Sequence, residues 1–146
     1  GKKIADEFNL TSAAEKADFS AGNVQTFQLF NTDTRKANLL MKKKSCHIIV
    51  TDLPYGVQHG SKSDKGSNMS RSPLWLLKEA IPAWYHVLRT KGSIVLSYNE
   101  FTMKYNDVAM VLEENGFKVL DKSPYNNFLH RVDQSINRNL IVAVKA

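Results

Sequence analysis

The sequence predicts an α/β protein, and three observations predict it. From residue 25 onward, strand-like and helix-like runs follow in the order strand, helix, strand, loop, helix, strand, helix, strand, strand. The apolar runs His47-Ile48-Ile49-Val50 and Ser93-Ile94-Val95-Leu96-Ser97-Tyr98 both stop abruptly at polar residues, as strands do on reaching a loop. Between such runs, proline and glycine stand where helices open and close.

Composition bounds the function classes. A chain of 146 residues fits one domain, residues 1–146, with a real core. It is 42% hydrophobic and 23% charged, ordinary values for a globular protein. No apolar run approaches the roughly 20 residues that span a bilayer, and no secretory signal pattern opens the chain. Membrane attachment is therefore not expected. The single cysteine, Cys46, excludes an internal disulfide and suits a reducing cytosol, so a cytoplasmic location is expected. The net charge of +6 favours a polyanionic partner. Its lysines and arginines cluster at Lys42-Lys43-Lys44, at Lys62, Lys65 and Arg71, and at Arg131 and Arg138. The first run reads as a solvated helix end, favourable to the helix dipole.

Taken in order, residues 2–19 lean helical: Ile4 and Phe8 are four apart, and an Ala-rich charged stretch follows Thr11-Ser12. Residues 9–12 break this into two pieces, the second restarting from a Thr or Ser cap. Gly22-Asn23 turns the chain. Residues 25–30 alternate polar and apolar as a strand, and a short helix over 35–43 turns Ala37, Leu40 and Met41 inward. The apolar run at 47–50 reads as a buried strand. Residues 57–72, rich in Gly, Ser, Lys and Asn, form a long loop, the length of which marks a functional segment such as a substrate lid. His59 lies in it as a solvated residue. Ser72-Pro73 opens a helix to about residue 90, kinked at Pro82 and ended by Lys91-Gly92, with Trp75 and Trp84 packing on its flanks. A strand over 93–98 follows. Asn99 caps a helix bearing Phe101, Tyr105, Val108, Val111 and Leu112, closed by Gly116. Residues 117–121 form a strand, 123–137 a polar excursion, and 138–145 the last strand.

The stretch Val50-Thr51-Asp52-Leu53-Pro54-Tyr55-Gly56 places an acid, a proline, an aromatic ring and a glycine just beyond a strand's carboxyl end. In open α/β sheets that is where ligands bind. The same residues also suit a plain strand-ending turn with a capping Asp and a core Tyr. Asp52-Leu53-Pro54-Tyr55 resembles the (Asp/Asn/Ser)-Pro-Pro-(Tyr/Phe/Trp) motif of S-adenosylmethionine-dependent amino-methyltransferases, with Leu53 in place of the first proline. With Thr51 before it and Gly56 after, it most resembles the branch that methylates the exocyclic N2 of guanosine in tRNA. The resemblance covers about residues 25–145. It implies a Rossmann-like sheet, mostly parallel, that closes in an antiparallel hairpin.

The resemblance also implies residue roles. Asp52 and the Leu53 carbonyl would accept the N–H bonds of the target amine, aiming its lone pair at the methyl and stabilising the positive charge that develops on nitrogen. Pro54 stiffens the turn, Tyr55 offers a face for an extruded base, and Gly56 permits close backbone approach. Asp33, with Thr34 beside it, matches the motif that contacts the cofactor adenine, and Asp52 borders the same cofactor. Both Asp33 and Thr34 also suit a helix cap. Lys62, Lys65 and Arg71 flank the motif loop, where RNA phosphates would run. S-adenosyl-L-methionine is the cofactor implied, RNA the partner, and no metal is called for.

The front of the chain departs from this pattern. No G-x-G sequence occurs, and Gly22 stands alone with no other glycine near it, so the glycine-rich turn that holds the cofactor's methionine end is missing. An incomplete amino-terminal part is expected, with the chain the carboxyl-terminal portion of a catalytic domain. The motif strand is then left with an open edge, which a second copy could complete by swapping. Methylation of adenine N6 or of a protein glutamine, and a noncatalytic RNA- or partner-binding module on the same fold, are the competing readings.

Overall fold

The computed structural model describes residues 3–55 and 72–146. Their contacts gather into two compact units, residues 1–33 and 34–146.

The first unit comprises β1 (Asp6–Ser12), α1 (Lys16–Ala21) and β2 (Gln25–Asn31). Here the helix expected from residue 2 is corrected: its first piece is a strand, antiparallel to β2 from Asp6 opposite Asn31 to Ser12 opposite Gln25. The physical reason is an ambiguity of period. A spacing of four is close to one helical turn, but it is also two strand repeats. Pairing across the hairpin settles it, because Phe8 meets Leu29 and Leu10 meets Phe27 on one face. On the other, the Gln28 amide donates to Glu7 and Asn9. The second helical piece survives as α1. Its N-cap is Glu15 rather than Thr11 or Ser12, and Gly22 closes it in the left-handed conformation at φ 80°.

The second unit opens with a 3₁₀ turn (Thr34–Lys36) running into α2 (Ala37–Leu40), shorter than the helix expected over 35–43. Then come β3 (Cys46–Asp52), α3 (Pro73–Val87), β4 (Leu88–Asn99), α4 (Tyr105–Glu114), β5 (Phe117–Leu120), β6 (His130–Arg131) and β7 (Asn137–Lys145). The sheet order is β3-β4-β7-β5, with β6 beside β7. The β3–β4 ladder is parallel, with α3 in the crossover as parallel pairing requires. The ladders of β7 with β4, β5 and β6 are antiparallel, so the sheet is mixed and ends in the expected antiparallel hairpin.

The core lies on one face. On β4, Ile94, Leu96 and Tyr98 are buried at every second position, and Ile141 and Ala143 of β7 stand opposite Leu96 and Ile94. Against them α3 buries Leu77, Ile81, Trp84 and Val87 at helical spacing, and α4 buries Val108, Val111 and Leu112. On the opposite face Ile48 and Val50 are 58% and 70% exposed. This corrects the buried strand expected at 47–50: β3 is an edge strand covered on one side only. An apolar run predicts two covered faces, but α3 and α4 contact each other and share a single face.

Helix α3 stops at Val87, short of residue 90, because Leu88 turns extended and pairs with Cys46. Gly92 is required a little further on, where an added Cβ would come within 2.8 Å of the Leu88 side chain and the Arg89 carbonyl. Helix α4 begins at Tyr105, capped by Lys104, so Asn99 does not cap it. Gly116, at φ 84°, follows its end as expected. Among the described residues no helix is long and apolar enough to cross a membrane.

One-sided burial makes the two faces respond differently. Ile94→Ala is expected to cost about 2–5 kcal/mol, whereas Val50→Thr, which keeps the strand preference, stays within about 0.5 kcal/mol. Urea unfolding midpoints of the two variants check this.

Candidate active site at the carboxyl end of β3

Parallel pairing carries β3 to Asp52, opposite Ser97 of β4. The ladder continues for one more bond, from the Leu53 N–H to the Ser97 carbonyl at 2.8 Å. Leu53 is 3% exposed, so an apolar side chain at this motif position anchors the turn in the core. Asp52 and Pro54 face solvent, while Tyr55 is half-buried.

Around Tyr55 the sequence motif becomes a network. Its hydroxyl donates to Asp52 Oδ1 at 3.1 Å and shares a hydrogen bond with Ser97 Oγ at 3.3 Å. Arg138 Nε donates to the same hydroxyl at 2.9 Å, and the guanidinium carbon lies 5.6 Å from the ring centroid. Asp52 therefore presents an exposed carboxylate with one oxygen held by an oriented phenol, itself backed by a cation.

The main chain of the turn is held by Asn99, which is fully buried at the end of β4. Its Nδ2 donates to the carbonyls of Tyr55 at 3.2 Å and Ser135 at 2.9 Å. Its Oδ1 accepts from the N–H groups of Phe101 at 3.2 Å and Asn137 at 3.0 Å. All the hydrogen-bonding capacity of the amide is used. Thr102 Oγ1 adds a donor to the Tyr55 carbonyl at 3.3 Å. Ser135 is placed in turn by Asp133, whose Oδ1 accepts from the Ser135 N–H and hydroxyl and from the Ile136 N–H. These bonds, the Ser135 hydroxyl first, hold the Asp133 carboxyl below its usual pKa. Tyr98, on the core face, is pushed upward by burial and by the nearby Glu100 carboxylate, so it stays a neutral phenol.

The other predicted site residues divide by location. Asp33 closes the first unit and Thr34 opens the second. The Thr34 hydroxyl accepts from Trp84 Nε1 at 2.8 Å, and Trp84 is core packing as expected. The Arg35 guanidinium lies over Trp75, 5.2 Å from its ring centroid. Gly56, Lys62, Lys65 and Arg71, with His59 and the loop up to residue 71, lie outside the described residues. Among the described residues no three His, Cys, Asp or Glu side chains gather as metal ligands.

Sequence reasoning missed Ser97, Asn99 and Arg138 as members of this site. Ser97 and Asn99 are both polar residues finishing an apolar strand, a signal that points to a strand's ligand-facing end without assigning partners. For Arg138 no local signal exists: it joins Tyr55 across 83 positions of sequence.

No protein-family model matches the chain, and no curated protein matches its sequence. Among solved structures it is similar to a protein of Thermus thermophilus provisionally named a DNA modification methylase, with a TM-score of 0.51 and 17% identity over 77% of this chain and 50% of that one. A structure of that protein complexed with S-adenosyl-L-methionine gives TM-score 0.51 and 17% identity, covering 77% of this chain and 53% of that one. A further structure of it gives 0.50 and 17%, covering 77% and 51%. The chain thus spans about half the length of these solved chains. At this identity the likeness shows the fold, which is Rossmann-like and of the methyltransferase type.

Asn99→Ala is expected to destabilise the unit by about 2 kcal/mol or more, because several buried groups lose their partner at once. Faster hydrogen exchange at the Phe101 and Asn137 amides, read beside the unfolding midpoint, checks it. The depressed Asp133 carboxyl stabilises its turn fully above the ordinary carboxylate range, and this contribution is lost as pH falls through its lower folded value. An acid titration following the Ser135 and Ile136 amide shifts is expected to show that release.

Proposed function

We propose that this chain is part of an S-adenosylmethionine-dependent methyltransferase acting on an exocyclic base amine of nucleic acid, the N2 of guanosine in tRNA by preference. The observation that carries the reading is the exposed Asp52 carboxylate at the end of a parallel strand, with one oxygen held by the Tyr55 hydroxyl. The other oxygen remains for a substrate N–H, and the Leu53 carbonyl is the second acceptor of the pair. An aromatic amine is a poor nucleophile because its lone pair is delocalised into the base. Holding both N–H bonds directs that lone pair out of the ring plane and stabilises the positive charge that builds on nitrogen.

The motif resemblance assigns the adenine end of the cofactor to Asp33, with Thr34 next to it in sequence. S-adenosylmethionine, when bound, would supply an electrophilic methyl group to the held amine. The amine then sheds a proton, for which Asp52 is the adjacent acceptor. Arg138 and Ser97 hold the Tyr55 ring in place, so one ring face is backed by the guanidinium and the base stacks on the other. Lys62, Lys65 and Arg71 meet the substrate's phosphates, and the positive net charge supports an RNA partner. A second reading, an amine of a DNA base, is favoured by the name of the Thermus protein.

The test uses the full native reading frame with labelled cofactor, unmodified tRNA and duplex DNA, followed by mass mapping of nucleosides. Label on N2 of guanosine is the expected product, and label only in DNA would select the second reading. Asp52→Ala is expected to lower turnover by about 10²–10³-fold with the unfolding midpoint unchanged. Turnover at the parent rate in that variant sinks the assignment.

A further inference from the structure

At the opposite end of the sheet from Asp52 lies a second site, about 20 Å away if the six steps from Cys46 to Asp52 each rise ~3.3 Å. A cavity of about 420 Å³ opens there between the end of β7, the last turn of α3 and the loop before β3. Its basic lining is Lys43, Lys44, His86 and Lys145, and Thr90 adds a hydroxyl. Among the described residues no carboxylate side chain lines it, and none of these basic groups has an ion-pair partner.

Lys145 is the unusual member. It is only 5% exposed, yet among the described residues it has no ion-pair partner. Its Nζ donates to the carbonyls of Tyr85 at 2.5 Å and Leu88 at 2.8 Å, and it stands 3.8 Å from the Tyr85 ring centroid. That leaves its third N–H without an acceptor among the described residues. The cover over it is shallow, because the cavity lies on its open side. Burial first, then the charges of Lys44 and Lys43, pull its pKa below the usual lysine value. An ammonium fixed in place beside two like charges is a costly arrangement unless an anion occupies the space between them.

We propose that this cavity binds a phosphate group, held by the Lys145 ammonium from within and by Lys43 and Lys44 from the rim. A tetrahedral anion with several acceptor oxygens matches convergent ammonium donors and a hydroxyl. The volume exceeds that of bare phosphate and falls in the range of small-ligand sites, so the phosphate is borne on a larger group. Two sources share this chemistry: the backbone of a bound RNA strand and a free phosphate ester. The proposal stands independently of the amine-orienting role of Asp52.

The experiment follows the side-chain Cε resonances of the lysines while inorganic phosphate is added at constant ionic strength. Phosphate is expected to raise the Lys145 pKa, and the Lys43→Gln/Lys44→Gln variant, whose changes are on exposed side chains, to bind about tenfold more weakly or worse. Lys122→Gln, remote from the cavity, serves as control and leaves binding unchanged. Displacement of phosphate by single-stranded RNA assigns the site to a nucleic-acid backbone. Displacement by a nucleoside monophosphate but not by RNA assigns it to a free ester. A Lys145 titration that ignores phosphate, or equal responses from all lysines, overturns the proposal.

Discussion

The parallel register between β3 and β4 is the constraint from which the candidate site follows. It sets Asp52 opposite Ser97 and carries one further backbone bond to Leu53, so the acid ends at the mouth of the sheet. A shift of one residue would turn Asp52 toward the core face and Leu53 toward water. Leu53 opposes that shift, since a fully enclosed leucine is worth about 1.5–3 kcal/mol of burial. The apolar residue inside the motif thus acts on the geometry of the polar ones beside it.

A second constraint is polar. Asn99 joins the turn after β3, the turn before β7 and its own strand end through one buried amide. Such a fully satisfied centre adds rigidity and discriminates against alternative packings, because any displacement leaves several buried groups unpaired together. Tyr55 is then fixed at both ends: its carbonyl by Asn99 and Thr102, its hydroxyl by Asp52, Ser97 and Arg138. A side chain held this way lends its order to the carboxylate it touches, which is what amine positioning requires.

The sheet also separates two kinds of chemistry along its length. Acid, phenol and guanidinium meet at the carboxyl end of β3, while at the amino end lysines gather with no acidic side chain among the described residues. Between them one face is closed by α3 and α4, and the other keeps Ile48 and Val50 in the open.

Local sequence determined a good deal on its own. The alternation at 25–30, the apolar runs ending at Asp52 and Asn99, the Ser72-Pro73 helix opening and the glycine after α4 were all legible, because each depends on neighbours within a turn or a strand repeat. Ile4 and Phe8 misled because their spacing fits both periods, and β1 exists through its partner β2. Only the tertiary structure decided that Asn99 ties loops together instead of capping a helix, that β3 is covered on one face alone, and that Arg138 reaches Tyr55. Those outcomes are set by which strands become neighbours, and strand pairing joins residues whose distance along the chain carries no local signal.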